Sequence, residues 1–194
     1  MEWRVHMDSP NAAAVIGEAL CRCGNSCMAD VDEVILLCVG TDRSIGDALG
    51  PLIGSQLSES GPHPFEIVGT LDRPVHAANL SETVRRIEAT YRQPLVVAVD
   101  ACLGRAESIG VLTVGRGSLS PGAGVNKNLP KVGQIYMTGV VNVGGFMEYF
   151  VLQNTRLNLV MRMAKIAAAG IAQGLSTLCG SRPSRPRRAR PVLA

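Results

Sequence analysis

The sequence predicts an α/β fold in which a parallel-rich sheet lies between layers of helices. Apolar, β-branched runs recur at residues 34–40 (VILLCVG), 65–70 (FEIVGT), 95–101 (LVVAVDA), 111–115 (VLTVG) and 135–143 (IYMTGVVNV). The first and third are continuous apolar blocks, as expected for strands covered on both faces. Helical patterns fall between the runs, at 46–58, 79–92 and 145–173, and a strand that alternates with a helix returns across a sheet face.

Taken in order, residues 1–30 form an amino-terminal extension. Its segment NAAAVIGEALCRC at 11–23 has a helical pattern, followed by a polar break. Residues 31–175 hold all five apolar runs and make one domain, and 194 residues leave ample length for a core. The long pattern at 145–173 shows Phe146, Phe150, Leu157, Val160, Met161, Ala164 and Ala168 at helical spacing, which reads as one packing face. Residues 176–194 form a tail whose last fourteen residues, SRPSRPRRARPVLA, are rich in proline and arginine and read as solvated and unfolded.

Composition excludes several function classes. Hydrophobic residues make up 46% and charged residues 18%, the pattern of a soluble globule. The net charge of +3 comes from five arginines in the tail, without which 14 basic residues face 16 acidic ones. The domain is therefore not a basic nucleic-acid surface. No apolar run approaches the ~20 residues of a membrane helix, and the first residues lack the pattern of a secretory signal. A cytoplasmic protein with reduced cysteines is expected. Cys21, Cys23 and Cys27 stand close together in CRCGNSC, but no second ligand pair follows at a zinc spacing.

In open α/β sheets the crevice beyond the carboxyl ends of the strands collects ligands. Three segments arrive there: GTDRSIGDALGP at 40–51, TLDRPVHAANL at 70–80 and VDACLG at 99–104. Asp100 ends an almost wholly apolar strand, where an ionised carboxylate is costly unless paired or hydrogen-bonded. Asp47 stands at the start of a helix, a place that favours aspartate for capping alone. If the two meet, their titrations couple, and one holds a proton while the other acts as base. Such a pair could activate water against an amide.

The rival reading of the same acids is a metal bridge at Asp47 and Asp100, with His76 as a nitrogen ligand. Asp42, Asn126, Lys127 and Asn142 supply polar groups nearby, and Lys127 could stabilise an oxyanion or be a solvated loop residue. The glycine loop lacks the lysine and hydroxyl of a P-loop and the glycine spacing of a dinucleotide site. Cys102 has no evident histidine base in sequence, and no serine sits in a nucleophile elbow.

Together with PGAGVNKNLP at 121–130 and TGVVNVGGFMEYFVLQNTRL at 138–157, these segments resemble the YyaC family of sporulation proteins, from about residue 33 to 173. More distantly, GDALGP, the strand-ending aspartate and PGAGV resemble the germination protease of spores, which degrades small acid-soluble spore proteins. The glycine loop with Asp100 also resembles the hydrogenase maturation proteases.

The resemblance implies a three-layer α/β/α, phosphorylase/hydrolase-like fold with a five-stranded mixed sheet, order 2-1-3-5-4, strand four antiparallel. It implies Asp47 and Asp100 as the catalytic pair. The maturation enzymes carry metal-binding acids at the matching positions and a further histidine in the loop matching GAGVNKNLP, where this chain has none. No cofactor is therefore expected. The expected function is a sporulation-associated endopeptidase in the mother cell or forespore, with Asp42, His76, Asn126, Lys127 and Asn142 in support. The alternative is a non-catalytic sporulation factor that binds a peptide or protein in the same cleft. The expected partner is a protein or peptide; a homo-oligomer is left open, and neither a specific nucleic acid nor a membrane is expected.

Overall fold

The computed structural model describes residues 2–28, 30–122 and 129–180. In chain order the elements are β1 (Glu2–His6), α1 (Ala12–Asn25), β2 (Glu33–Cys38), α2 (Leu49–Glu59), β3 (Glu66–Val68), α3 (Leu80–Thr90), β4 (Pro94–Gly104), β5 (Val111–Arg116), β6 (Ile135–Val143), α4 (Glu148–Gln153) and α5 (Leu157–Gly180). One sheet runs β1-β5-β6-β4-β2-β3. Strands β3, β2, β4 and β6 are mutually parallel, and β5 is antiparallel to β6.

Without β1, this is the expected five-strand order with its fourth strand reversed. The expected count of five is corrected to six. β1 pairs antiparallel with β5, Trp3 opposite Val114 and Val5 opposite Leu112. Its sequence, EWRVH, places apolar residues only at alternate positions, as an edge strand with one covered face does. Trp3 and Val5 rest against the core while Arg4 between them is exposed.

The strands bury both faces. Val34 to Cys38 of β2 are fully buried in succession, which is why the sequence there is unbroken by polar residues. Val97 and Val99 of β4 join one core with residues of α1, α2 and α5. Ala98, one residue out of phase, joins a second core with Leu80 and Ile87 of α3 and with Leu119 and Val132 from the β5–β6 connection. The architecture is thus helices, sheet, then helix and loop.

The long helix expected over 145–173 is two helices meeting at a corner. Thr155, buried there, donates its hydroxyl to Val151 O at 2.9 Å, and α5 begins at Leu157. Its buried stripe includes Val160, Met163, Ala164, Ala167, Ala168 and Ile171. Phe146, Phe150, Leu157 and Met161, read from periodicity as part of one packing face, are exposed. A periodic pattern cannot register a break of three residues that rotates the face. Among the described residues no helix is long and apolar enough to cross a membrane.

Candidate functional site

Strand β2 stops at Cys38, and its last amide bond to β4 joins Val39 N to Val99 O at 2.7 Å. Asp100 is the next residue on β4. It stands where one neighbour has left the sheet while the other, Thr138 on β6, still pairs with it. β4 itself runs four residues further, to Gly104, so Asp100 marks the end of the β2 ladder rather than the end of its own strand.

The Asp47 turn is fixed against this exit by close backbone contacts. Asp47 lies in a single 3-10 turn, Gly46–Ala48, that leads into α2. Its amide donates to Ser44 O at 3.0 Å, and its carbonyl accepts from Thr41 N at 3.0 Å. Gly40 has a φ of +143°, and a side chain there would start 2.1 Å from Asp47 O. A side chain at Gly50 would start 2.1 Å from Val39 O. The glycines of GTDRSIGDALGP therefore serve the approach of the turn to the strand end, a need that only a missing Cβ meets.

Asp100 is 6% exposed. Its Oδ1 accepts from Ala101 N at 2.8 Å, and the amide of Gly122, in the β5–β6 connection, also donates to the carboxyl. Burial pushes the carboxyl well above the usual carboxylate range, and the negative charge of Asp47 pushes it further in the same direction, against the pull of the two amides. The carboxyl of Asp100 is thus held towards its protonated form by burial first and by its acidic neighbour second. The two residues lie 53 positions apart in sequence, and the topology makes them electrostatic neighbours.

Asn142, at the end of β6, donates to Val151 O at 3.3 Å and to Thr155 Oγ1 at 3.2 Å, while its Oδ1 accepts from Val143 N at 2.9 Å. Its amide ties the strand to the α4–α5 corner. That corner in turn touches the acid turn: a side chain at Gly46 would start 2.8 Å from both Leu152 Cδ2 and Thr155 Oγ1. Asn142 therefore shapes the site from behind.

His76 follows Val75, whose bridge to Val39 places it at the same sheet edge. Its backbone amide donates to Asn79 Oδ1 at 2.8 Å, and its Nδ1 accepts from Ala78 N at 3.2 Å. With Nδ1 accepting, the neutral ring carries its proton on Nε2 and offers a donor there rather than a lone pair. Asp42 is exposed, and its carboxylate accepts from the neighbouring Thr41 hydroxyl at 3.5 Å. Asn126 and Lys127 lie outside the described residues.

Sequence reasoning missed two contributors, the Gly122 amide and Thr155. Gly122 carried a signal in the Pro121-Gly122 pair, which marks a turn. Thr155 carried none, since one threonine in a helical pattern does not reveal a corner.

Among the described residues the donor set does not fit a resident metal ion. Among the described residues no group of three or more His, Cys, Asp or Glu side chains is placed to share one. The Nδ1 lone pair of His76 is already engaged by Ala78 N. Residues 123–128, AGVNKN, add no carboxylate, imidazole or thiol by sequence.

Residues 4–170 match the family described as "Protein of unknown function (DUF1256)". The chain is 53% identical over 139 residues to YyaC of Bacillus subtilis (strain 168), covering 72% of this chain and 68% of that protein. A [NiFe] hydrogenase maturation protease, HycI from Thermococcus kodakarensis KOD1, superposes with a TM-score of 0.51 at 18% identity over 77% of this chain and 96% of its own, which establishes a shared fold. A hydrogenase 3 maturation protease superposes with a TM-score of 0.48 at 16% identity, covering 78% of this chain and 96% of its own. On the extent of the family match and the identity to YyaC, the chain belongs to the DUF1256 family.

Proposed function

We propose that this protein is a sporulation-associated endopeptidase that uses Asp47 and Asp100 to activate water against a peptide bond. The observation that carries the reading is the buried Asp100 carboxyl, pushed well above the usual carboxylate range by burial first and by the charge of Asp47 second. Two acids with separated protonation states are what acid and base catalysis by carboxyl groups requires. Ionised Asp47 takes a proton from a water molecule whose oxygen attacks the peptide carbonyl carbon, and neutral Asp100 gives its proton to the carbonyl oxygen. Collapse of the tetrahedral intermediate breaks the C–N bond as the proton on Asp47 passes to the leaving nitrogen and Asp100 recovers its own. The products are one carboxylic acid and one amine, and the pair returns to its starting state.

The fold shared with a maturation protease supports this reading at the level of architecture. The resemblance of the loop motifs to spore proteins directs the search for substrates to the cytoplasm of the mother cell or forespore. A second reading follows from the same burial: with Asp100 6% exposed beneath the Gly122 turn, the crevice would suit a non-catalytic factor that binds a peptide across its rim.

A panel of small acid-soluble spore proteins separates the two. The endopeptidase reading expects fragments with the wild-type chain and none with Asp47→Asn or Asp100→Asn, both variants staying folded by circular dichroism. An intact panel with folded wild-type protein would contradict it and favour the binding factor.

A further inference from the structure

Where β4 and β6 begin, the packing leaves a hollow of about 480 Å³ beside the last turns of α3, at the other end of these strands from the acid pair. Leu37, Ile87, Leu95 and Val132, all buried, give it an apolar wall.

The sides of the hollow are held by bonds between segments far apart in sequence. On one side the chain between α3 and β4 is clamped: the Asp32 carboxylate accepts from Arg92 N at 3.0 Å and from Gln93 N at 3.1 Å, and Asp32 N donates to Gln93 O at 3.1 Å. On the other side Val132 exchanges two backbone bonds with Leu119, at 2.8 and 2.9 Å. Gln134 then grips β4, its amide donating to Val96 O at 2.9 Å and its Oε1 accepting from Val96 N at 2.8 Å. Between them Gly133 has a φ of +81°, and a side chain there would start 3.0 Å from Val96 O, so glycine lets this segment lie close to the strand. The hollow is therefore preformed, as small-molecule sites are.

Its lining carries two cations, Arg92 and Lys131, and one anion, Glu88, all exposed. No salt bridge among the described residues engages any of the three. The mouth thus has an excess of positive charge above an apolar interior.

We propose that this hollow binds a small monocarboxylate with a hydrocarbon body, its chain against the apolar wall and its carboxylate at the mouth within reach of Arg92 and Lys131. The volume falls in the range of about 300–1,000 Å³ typical of ligand sites. A hydrocarbon chain gains by leaving water, and a carboxylate at the mouth stays hydrated while meeting opposite charge. A cationic ligand would meet two like charges there, and a compact, multiply charged anion would bring its charge against apolar walls at a high desolvation cost. The site is separate from the acid crevice and stands whether or not that crevice is catalytic.

Methyl-detected NMR of the full-length chain, titrated with butanoate, hexanoate and octanoate, tests this, with octylamine as the matched cation. The methyl signals of Leu37, Ile87, Leu95 and Val132 should shift, and affinity should rise about threefold for each methylene added. Octylamine should leave them unmoved. Arg92→Ala combined with Lys131→Ala should weaken octanoate binding about tenfold, the size expected when two solvent-exposed ion pairs are lost. Val84→Phe, which enlarges a half-buried lining residue of α3, should fill the hollow and abolish binding. The wild-type series depends on no variant folding and decides alone: methyl signals that stay still with octanoate, an affinity indifferent to chain length, or equal shifts with octylamine would overturn the proposal.

Discussion

At the carboxyl edge of the sheet, Asp100 is buried, capped by two amides and pressed by the charge of Asp47. At the amino edge of the same strands, a cleft of about 480 Å³ opens between Ile87, Leu95 and Val132, with exposed Arg92 and Lys131 at its rim. The cleft offers room and the other edge offers chemistry. A carboxyl taken out of water beside a second acid resists ionisation. The comparison teaches that the hollow and the buried acid lie at opposite ends of the same strands.

The largest expected effect is on cleavage. Asp47→Asn and Asp100→Asn should each lower the rate on a spore-protein substrate by about 10²–10⁴-fold, the usual contribution of a positioned acid or base. Arg92→Ala and Lys131→Ala should leave it unchanged. The reverse pattern would move the active edge to the cleft. Next comes the junction that holds the acid turn. Gly50→Ala places a Cβ against Val39 O and should cost about 3 kcal/mol, the upper part of the range for overpacking, read from urea denaturation.

Stability as a function of pH sharpens the contrast further. Below the ordinary aspartate value of 3.8 both folded and unfolded chains hold the Asp100 proton. Above it the unfolded chain releases that proton and the folded one retains it, so the Asp100 contribution to stability falls as pH rises until the folded carboxyl itself ionises. The slope is about 1.4 kcal/mol per pH unit. Asp100→Asn removes it, so this variant should gain stability over wild type as pH climbs from 3.8 towards neutrality, measured by melting temperature across the series.

Smaller effects are expected behind the site. Thr155→Val leaves the Asn142 amide without its hydroxyl partner and should cost about 1 kcal/mol. Asp42→Ala, at an exposed position, should change stability by less than about 0.5 kcal/mol.

The parallel core was legible in the sequence because burial on both faces leaves strands such as 34–38 and 95–99 without polar interruption. Three features were not. β1 escaped because an edge strand of five residues buries only Trp3 and Val5. The α4–α5 corner escaped because its cause, Thr155 bonding to Val151 and Asn142, is a tertiary arrangement with no periodic signature. The exposure of Phe146 and Phe150 escaped for the same reason, since they have helical spacing whether they are covered or open.

At the site, the cost of placing Asp100 at the end of an apolar run could be read directly, and the loop motifs pointed to Asp47. The parts played by Gly122 and Asn142 needed coordinates, because a backbone amide leaves little mark in sequence and an asparagine side chain can tie together elements far apart along the chain. The metal alternative illustrates the same limit. His76 reaches the correct sheet edge, but a local bond to Ala78 decides which of its nitrogens is available.

The most direct measurement is a carbon-detected NMR titration of the Asp100 carboxyl, in the wild-type protein and in Asp47→Asn. Asp100 should titrate well above the usual carboxylate range in the wild-type protein and distinctly lower once the neighbouring charge is gone. An Asp100 that titrates like a solvated aspartate in both proteins would contradict the coupling of the two acids.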